Sequence, residues 1–339
     1  MSQFPQDYCV QPQTNGGGGG SSFSFYIDGG AAEVTLQDGT QVQSYFTISK
    51  ITTWVAEHRM VGIQIWLSNS PNGYSDSDQT QFFGATGGAS LTYTFAAGER
   101  LSALTIYKSK YNDNTYCGGV EFTTSLGKTY KNVNPSGGSG TVMNVGYGVC
   151  VGIFGKSGEA IDNLGFWMVE SPVSVALTNV TYIDSPPAPS KNILDSRTFT
   201  NNSDKVETIS YSQTYSISTT EDWTLTTSEE QSVGVTVGVS AEVYFVTAST
   251  ETSYSWTTTT EESNGLSYSQ TEEYSVNITF ELQPDTTASV TVFNYQGSYV
   301  ALDYTGFSSL ALPNNVSFAY CLSGTSSGQS ASTVFYDLT

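Results

Sequence analysis

The chain has 339 residues, a length that suits two domains better than one core, and only 12% of its residues are charged. Asp and Glu outnumber Lys and Arg by 31 to 11, which gives a net charge of −20 and excludes nucleic-acid binding through phosphate neutralisation. Anionic lipid is expected to repel the protein for the same reason, so a first contact with a membrane must use an uncharged group such as a sugar.

The first 15 residues are predicted to be an irregular lead-in. Residues 1–10 lack the basic and apolar regions of a signal peptide, and no segment reaches the roughly 18 apolar residues of a membrane helix. The expected location is outside the cell and then on the target-cell membrane, after loss of a leader or export by a non-classical route. Storage in the cytoplasm is the alternative.

From residue 16 to about residue 170, short apolar and aromatic runs alternate with glycine-rich turns. This rhythm predicts a β-sandwich or a β-prism. A glycine run at residues 16–20 opens the region, and residues 151–165 close it with the sequence VGIFGKSGEAIDNLG. In order and spacing these segments resemble a jacalin-like lectin domain, a β-prism of three four-stranded sheets. The resemblance assigns that domain to residues 16–170.

The same resemblance implies a sugar site built from two turns. Gly158 and Asp162 match a G-x-x-x-D element, whose backbone amides would donate to sugar hydroxyls while the Asp162 carboxylate accepts from them. The glycine run would add a backbone contact, because glycine lets the main chain approach a ring closely. The implied sugar-binding residues are Gly17, Gly18, Gly19, Gly158, Glu159, Ala160, Ile161 and Asp162.

Residues 108–114 would form a third loop that sets specificity, and the uncleaved domain implies a mannose-type glycan. The competing interpretation is that the glycines only shape turns and that Asp162 only caps a strand.

Residues 185–190, with the sequence SPPAPS, predict a stiff connection to a second region of different character. Beyond it the strands are predicted to be longer and rich in Thr and Ser. Residues 171–339 are therefore interpreted as a second all-β module of elongated antiparallel strands.

A predicted hairpin at about residues 231–258 stands out in this module. Apolar residues occupy every second position from Val233 to Phe245, a length close to that of a tilted transmembrane strand. The alternation then changes parity, which predicts a two-residue tip at Tyr244 and Phe245, with Val243 opposite Val246. The residues predicted to insert into a membrane are Val233, Val235, Val237, Val239, Ala241, Val243, Tyr244, Phe245, Val246, Ala248, Tyr254 and Trp256.

Glu242 and Glu251 fall on the opposite face of this predicted hairpin and are expected to line a pore lumen. The Thr- and Ser-rich strands around a stowed hairpin resemble an aerolysin-type pore-forming module. A lectin head followed by such a module is similar to natterin-like fusion proteins. The resemblance implies a pore-forming protein that binds surface glycans, forms a homo-oligomer and inserts a β-barrel into the target membrane.

The alternative function is a non-lytic lectin or agglutinin whose C-terminal half is a stalk or an oligomerisation domain. An enzyme is not expected, because the single histidine, His58, has no partner motif and is predicted at a solvated strand end. The four cysteines lack metal-binding spacing, so no metal or other cofactor is expected. Cys117 and Cys150 are predicted either to pair or to remain free buried thiols.

Overall fold

The computed structural model describes residues 4–28, 32–35, 41–136, 138–225, 236–240, 242–246, 254–258 and 266–339. These residues form 24 strands and no helix, so the predicted all-β class is confirmed. Across these ranges, no helix has the length and apolar character needed to cross a membrane.

The strands are numbered in chain order. They are β1 (Asn15–Gly16), β2 (Ser21–Tyr26), β3 (Ala32–Thr35), β4 (Gln41–Ser44), β5 (Thr47–Val55), β6 (Met60–Ser68), β7 (Gln79–Gly84), β8 (Ala89–Thr94), β9 (Leu101–Tyr111), β10 (Asn114–Thr124), β11 (Thr129–Val133), β12 (Ser139–Val142), β13 (Cys150–Ser157), β14 (Ile161–Met168), β15 (Ser174–Tyr182), β16 (Ser190–Thr200), β17 (Glu207–Leu225), β18 (Thr236–Ser240), β19 (Glu242–Val246), β20 (Tyr254–Thr258), β21 (Ser267–Leu282), β22 (Thr287–Ala311), β23 (Ser317–Ala331) and β24 (Phe335–Leu338).

Twelve of these strands build a β-prism of three four-stranded sheets. The strand orders are β1-β14-β13-β2, β7-β6-β5-β8 and β11-β10-β9-β12. Residues at alternating positions of the central strands, such as Ile63, Ile65 and Leu67 of β6, point inward and are fully buried in a shared core. The predicted β-prism is therefore confirmed.

A second core lies beside the prism and includes the N-terminal segment. Phe4 stacks on Tyr45 with ring centroids 4.8 Å apart, and Tyr45 stacks on Phe318 at the same distance. Trp167 and Val169 of the prism belong to this cluster, as do Leu310 and Tyr320 near the C-terminus. The lead-in is irregular in backbone, yet Phe4, Tyr8 and Cys9 are buried.

By contacts the chain divides into two units that are discontinuous in sequence. The first contains residues 1–181, 225–240 and 305–324, and the second contains residues 182–224, 241–304 and 325–339. Because β22 and β23 each contribute to both units, the contact units are not separated by one cut at residue 171. The sequence boundary there stays a prediction.

Long polar strands dominate the second unit, in agreement with its Thr- and Ser-rich sequence. Strand β17 pairs with β21 over 16 residue pairs, from Glu207 opposite Leu282 to Asp222 opposite Ser267. Hydroxyl groups bridge the exposed face of this pair, for example Thr214 Oγ1 and Ser275 Oγ at 3.0 Å. The opposite face packs a small core that contains Tyr211, Val276, Ile278, Val290 and Val292.

The second unit also buries a carboxyl group. Glu221 on β17 is 1% exposed and accepts hydrogen bonds from Tyr182 Oη, at 2.5 Å, and from Tyr299 Oη. Trp223 Nε1 donates in turn to Tyr182 Oη at 3.0 Å. Burial raises the pKa of Glu221 to about 7, although the hydrogen bond from Tyr182 lowers it.

The region of the predicted hairpin differs from the sequence interpretation. Val237 and Val239 lie on β18, which pairs in parallel with β15 over five residue pairs instead of joining the hairpin. Val243, Tyr244, Phe245 and Val246 lie on β19, which forms an antiparallel hairpin with β20. The predicted positions Val233, Val235, Ala241, Ala248 and Glu251 lie outside the described residues.

The hairpin register corrects the predicted tip. Tyr244 is opposite Trp256 and Val246 is opposite Tyr254, so the strand continues through Tyr244 and Phe245 instead of turning there. Aromatic and β-branched residues favour extended strand, and this pair offers no Gly or Asn for a two-residue turn. Glu242 is opposite Thr258 in the same ladder.

All four cysteines are free and buried. Of the two alternatives for Cys117 and Cys150, the structure has the free thiols. Burial raises the pKa of each of these two thiols to about 12, which keeps them protonated and poorly nucleophilic at neutral pH.

Candidate carbohydrate-binding site

Two turns meet at one end of the β1-β14-β13-β2 sheet. Residues 17–20 connect β1 to β2, and residues 158–160 connect β13 to β14. Strand β1 pairs with β14, while β2 pairs with β13, so the glycine loop lies next to the start of β14. The pairing places Asp162, the second residue of β14, beside the glycine loop.

Hydrogen bonds hold the glycine loop against β14. The amide of Gly17 donates to the carbonyl oxygen of Asp162 at 2.7 Å, and the carbonyl of Gly17 accepts from Asn163 Nδ2 at 2.8 Å. The carbonyl of Gly18 accepts from Lys156 Nζ at 3.2 Å. A Cβ atom on Gly19 would lie only 2.6 Å from Asp162 Oδ1. Glycine at this position is therefore required for the loop to approach the carboxylate.

The Asp162 carboxylate is an acceptor without a donor. The residue is 8% exposed, yet its carboxylate accepts no hydrogen bond from any described residue. Burial raises its pKa, and the positive charges of Arg59 and Lys156 oppose that effect. Because the Asp162 side chain lines the open groove, its unused lone pairs can accept hydrogen bonds from the hydroxyls of a bound ligand.

Donors stand beside this acceptor. Within the described ranges, the amides of Gly18 and Gly19 donate no hydrogen bond. Adjacent amide donors and a carboxylate acceptor match a hydroxyl group, which both accepts and donates. A ring with several neighbouring hydroxyls can use both at once.

A groove of about 990 Å³ opens over these groups. Its walls come from the glycine loop, the β5–β6 turn, the ends of β9 and β10, and the segment before β12. The lining residues are Gly16, Gly17, Gly18, Gly19, His58, Lys108, Ser109, Lys110, Asp113, Asn114, Thr115, Tyr116, Ser136, Gly138, Ser139 and Asp162.

The structure brings four of the predicted sugar-site residues together in this groove, namely Gly17, Gly18, Gly19 and Asp162. Gly158, Glu159 and Ala160 lie in the adjoining β13–β14 turn and do not line it. Ile161 does not line it either, and its side chain is fully buried in the prism core. The predicted donation from the backbone amides of Glu159, Ala160 and Ile161 to a sugar stays a prediction.

A match to a family sequence profile identifies this domain. The profile of the jacalin-like lectin domain matches residues 13–167, the part of the chain that forms the prism and its groove. Residues 13–167 are a jacalin-like lectin domain. Members of this family bind carbohydrate, and the groove with Asp162 lies where the family resemblance implied a sugar site.

One solved structure resembles this chain along nearly its whole length, and others resemble about half of it. The crystal structure of a lamprey immune protein resembles the chain with a TM-score of 0.59 and 21% identity, covering 97% of this chain and 98% of the other. Malaysian banana lectin matches 48% of this chain and 99% of its own, with 21% identity and a TM-score of 0.37. Calystegia sepium agglutinin matches 49% of this chain and 97% of its own, with 20% identity and a TM-score of 0.36. Comparison with curated protein sequences gave no significant match.

Sequence reasoning missed several residues of the lectin groove. His58 lies in the turn between the end of β5 and the start of β6 with its side chain 39% exposed, and its Nδ1 is 2.9 Å from Ser136 Oγ, a contact that the sequence did not predict. Its ring also stacks on Tyr111, with centroids 5.3 Å apart. The prism joins the β5–β6 turn to residues 136–139, which are far apart in sequence, and no local motif signals that contact.

Arg59 follows His58 in the β5–β6 turn and lies beside the lectin groove without lining it. Its guanidinium carbon lies 4.8 Å from the ring centroids of both Tyr111 and Tyr116, within the range of a cation–π interaction. The two tyrosines therefore hold a positive charge near the Asp162 carboxylate. The position of Arg59 in the sequence, after Glu57 and His58, gave no sign that its charge lies near Asp162.

Proposed function

We propose that this protein binds cell-surface glycans through the groove over Asp162. The Asp162 carboxylate, which lines the groove and accepts no hydrogen bond from a described residue, carries this proposal, together with the unbonded amides of Gly18 and Gly19. A sugar supplies vicinal hydroxyls that pair with the carboxylate and the amides. The uncleaved lectin domain supports a mannose-type ring as the core of the ligand.

We further propose that glycan binding leads to pore formation. The support is the pattern of residues 171–339, with long Thr- and Ser-rich strands and a β19–β20 hairpin, and a fold similar over nearly the whole chain to that of the lamprey immune protein. Chains concentrated on a glycan surface associate into a ring, and each contributes a hairpin to a closed β-barrel, which leaves no unpaired edge in lipid.

Insertion requires a change from the described state. Strand β18 must leave β15, and the hairpin must change register, for example to the one in which Val243 is opposite Val246, because that register separates the apolar residues from Glu242 and Glu251.

A non-lytic lectin is the second candidate. The parallel pairing of β18 with β15 favours it, because this pairing is the arrangement of a strand that stays in the body of the protein.

Dye-filled liposomes with and without a mannose-type glycolipid test both steps. We expect the protein to bind only the glycan-bearing liposomes and to release their dye. Asp162→Asn is expected to lower binding at least tenfold, because one charge-assisted acceptor is lost. Asp204→Asn is the matched control, since it makes the same change at an exposed position in the second unit.

The two candidates give different results in this assay. Binding with dye release supports the pore, and binding without release supports the non-lytic lectin. Equal binding by the Asp162→Asn variant and the wild type would rule out the groove as the sugar site.

A further inference from the structure

The lectin groove contains several cations, although the protein as a whole is strongly acidic. Arg59, Lys108, Lys110 and Lys156 lie in or beside the groove, and they are four of only 11 Lys and Arg residues in the chain. Two carboxylates, Asp113 and Asp162, line the groove beside Lys108 and Lys110, so its lining is neutral while the whole chain carries −20. Which of these cations can bind a ligand depends on which of them already have a partner in the protein.

Two of these cations have no assigned partner within the protein. Arg59 and Lys156 act on Asp162, and Lys156 also binds the carbonyl of Gly18. Lys108 and Lys110, in contrast, are exposed, and their ammonium groups make no ion pair or hydrogen bond with any described residue. Elsewhere lysines do find carboxylates, as Lys131 does with Glu121 at 2.8 Å and Lys191 with Asp337 at 2.9 Å.

Their spacing suits one anionic group. Lys108 and Lys110 are separated by one residue on β9, and their regular pairing with Cys117 and Thr115 keeps them on the same face of the strand. Two positions along a strand are about 7 Å apart, so two flexible ammonium groups can converge on one group between them.

Acidic residues near the groove leave this pair available. Asp113 lines the groove in the β9–β10 turn, and Asp162 is already opposed by Arg59 and Lys156. Glu57 lies 3.8 Å from His58 Nε2, and Glu159 is exposed in the β13–β14 turn. None of these carboxylates is within ion-pair distance of Lys108 or Lys110.

We propose that the lectin groove recognises a glycan that carries an anionic substituent, with the sugar ring held at Asp162 and the glycine loop and the anion held by Lys108 and Lys110. This inference rests on the proposed glycan binding and specifies its ligand class. The substituent is a carboxylate, a sulfate or a phosphate on a sugar, since each offers the oxygen acceptors that an ammonium group binds. The overall charge of −20 acts at longer range, where salt screens it beyond roughly 8 Å.

Calorimetric titration with matched oligosaccharides tests the proposal. One mannose-type or lactosamine-type oligosaccharide is compared with its sialylated, sulfated and phosphorylated forms. We expect at least one charged form to bind about tenfold more tightly than the neutral parent, with a preference that weakens as salt is raised. Which form gains affinity identifies the chemical source of the anion.

Variants of the two lysines locate the effect. The double variant Lys108→Gln and Lys110→Gln is expected to lose the preference for the charged form, whereas Lys108→Arg with Lys110→Arg retains it. The control is Lys128→Gln with Lys205→Gln, which changes the net charge equally at two exposed positions that do not line the groove. This control is expected to behave as the wild type.

Each failure has its own signature. If the neutral and charged forms bind equally, or if the control variant loses the preference as well, the inference is wrong while the proposed glycan binding stands. If the wild type binds neither form, both are wrong. Wild-type affinity for every oligosaccharide in the Asp162→Asn variant would instead place sugar binding outside this groove.

Discussion

Two carboxyl groups of this protein have different roles because their surroundings differ. Asp162 and Glu221 are both nearly buried, and burial raises the pKa of both. Asp162 has cations nearby and no hydrogen-bond donor among the described residues, so it is suited to bind a ligand. Glu221 is enclosed by Tyr182 and Tyr299 and has Gly328 against it, where a Cβ atom would clash with Glu221 Oε2. Its role is therefore structural and depends on pH.

The burial of Glu221 leads to a prediction of how the free energy of unfolding changes with pH. Its pKa is about 7 in the folded protein against an ordinary value of 4.5, so the folded protein keeps a proton that the unfolded chain releases in this range. The stability that Glu221 contributes is present below pH 4.5 and is lost as the pH rises to about 7, on the order of 3 kcal/mol. We expect Glu221→Gln to flatten the pH dependence of the urea unfolding midpoint over this window.

The control is Glu281→Gln, an exposed carboxyl on β21 of the same unit. It is expected to leave the slope unchanged. A wild-type slope in the Glu221→Gln variant would mean that another group is responsible.

At the scale of elements, the sequence predicted which segments form strands better than it predicted which strands pair with each other. Alternation identified β18, β19 and β20 as strands, but it could not show that β18 pairs with β15, some 60 residues earlier in the chain. The parity change near Val246 was explained by an even turn at Tyr244 and Phe245. The structure pairs Val246 with Tyr254 instead.

The β15–β18 pairing predicts a way to block insertion. Leu177 is opposite Val239, and both are buried in the first unit, so Leu177→Cys with Val239→Cys is expected to form a disulfide that fixes β18 to β15. The oxidised variant should bind glycan-bearing liposomes as the wild type does and release no dye.

Reduction of this same variant supplies the control, because it should restore dye release without changing the sequence. Full release by the oxidised form would show that β18 stays in place during permeabilisation, and the proposed insertion route would be wrong.

At the scale of the whole molecule, composition was informative because charge and β propensity do not depend on how distant segments meet. The all-β class followed from the composition and the turn rhythm, which left a β-sandwich and a β-prism open, and the resemblance to jacalin-like lectin domains implied the prism. The lectin site was predictable in part, since Gly17 to Gly19 and Asp162 belong to local segments. Lys108 and Lys110 lay in the predicted specificity loop, but their lack of partners required the assembled prism. His58, Ser136 and Tyr116 meet only through the fold.

The two glutamates of the predicted hairpin lead to a prediction for the ion selectivity of the assembled pore. Glu242 and Glu251 are expected to repeat around the lumen in the proposed inserted register, so planar-bilayer recordings should show a preference for cations. Glu242→Gln with Glu251→Gln should reduce that preference. Glu207→Gln with Glu281→Gln removes the same charge outside the hairpin and should not change it. Anion selectivity of the wild-type channel would contradict the lumen assignment.

The aromatic cluster beside the prism has a practical consequence for protein preparation. Val149, Val151 and Trp167 of the lectin domain are covered by Leu310, Phe318 and Tyr320, which the chain supplies more than 140 residues later. A recombinant fragment that stops at residue 170 would expose this apolar surface to water, and we expect the fragment to precipitate or self-associate. Soluble expression of the isolated head would then need the buried aromatics replaced by polar side chains, even though the profile match ends at residue 167.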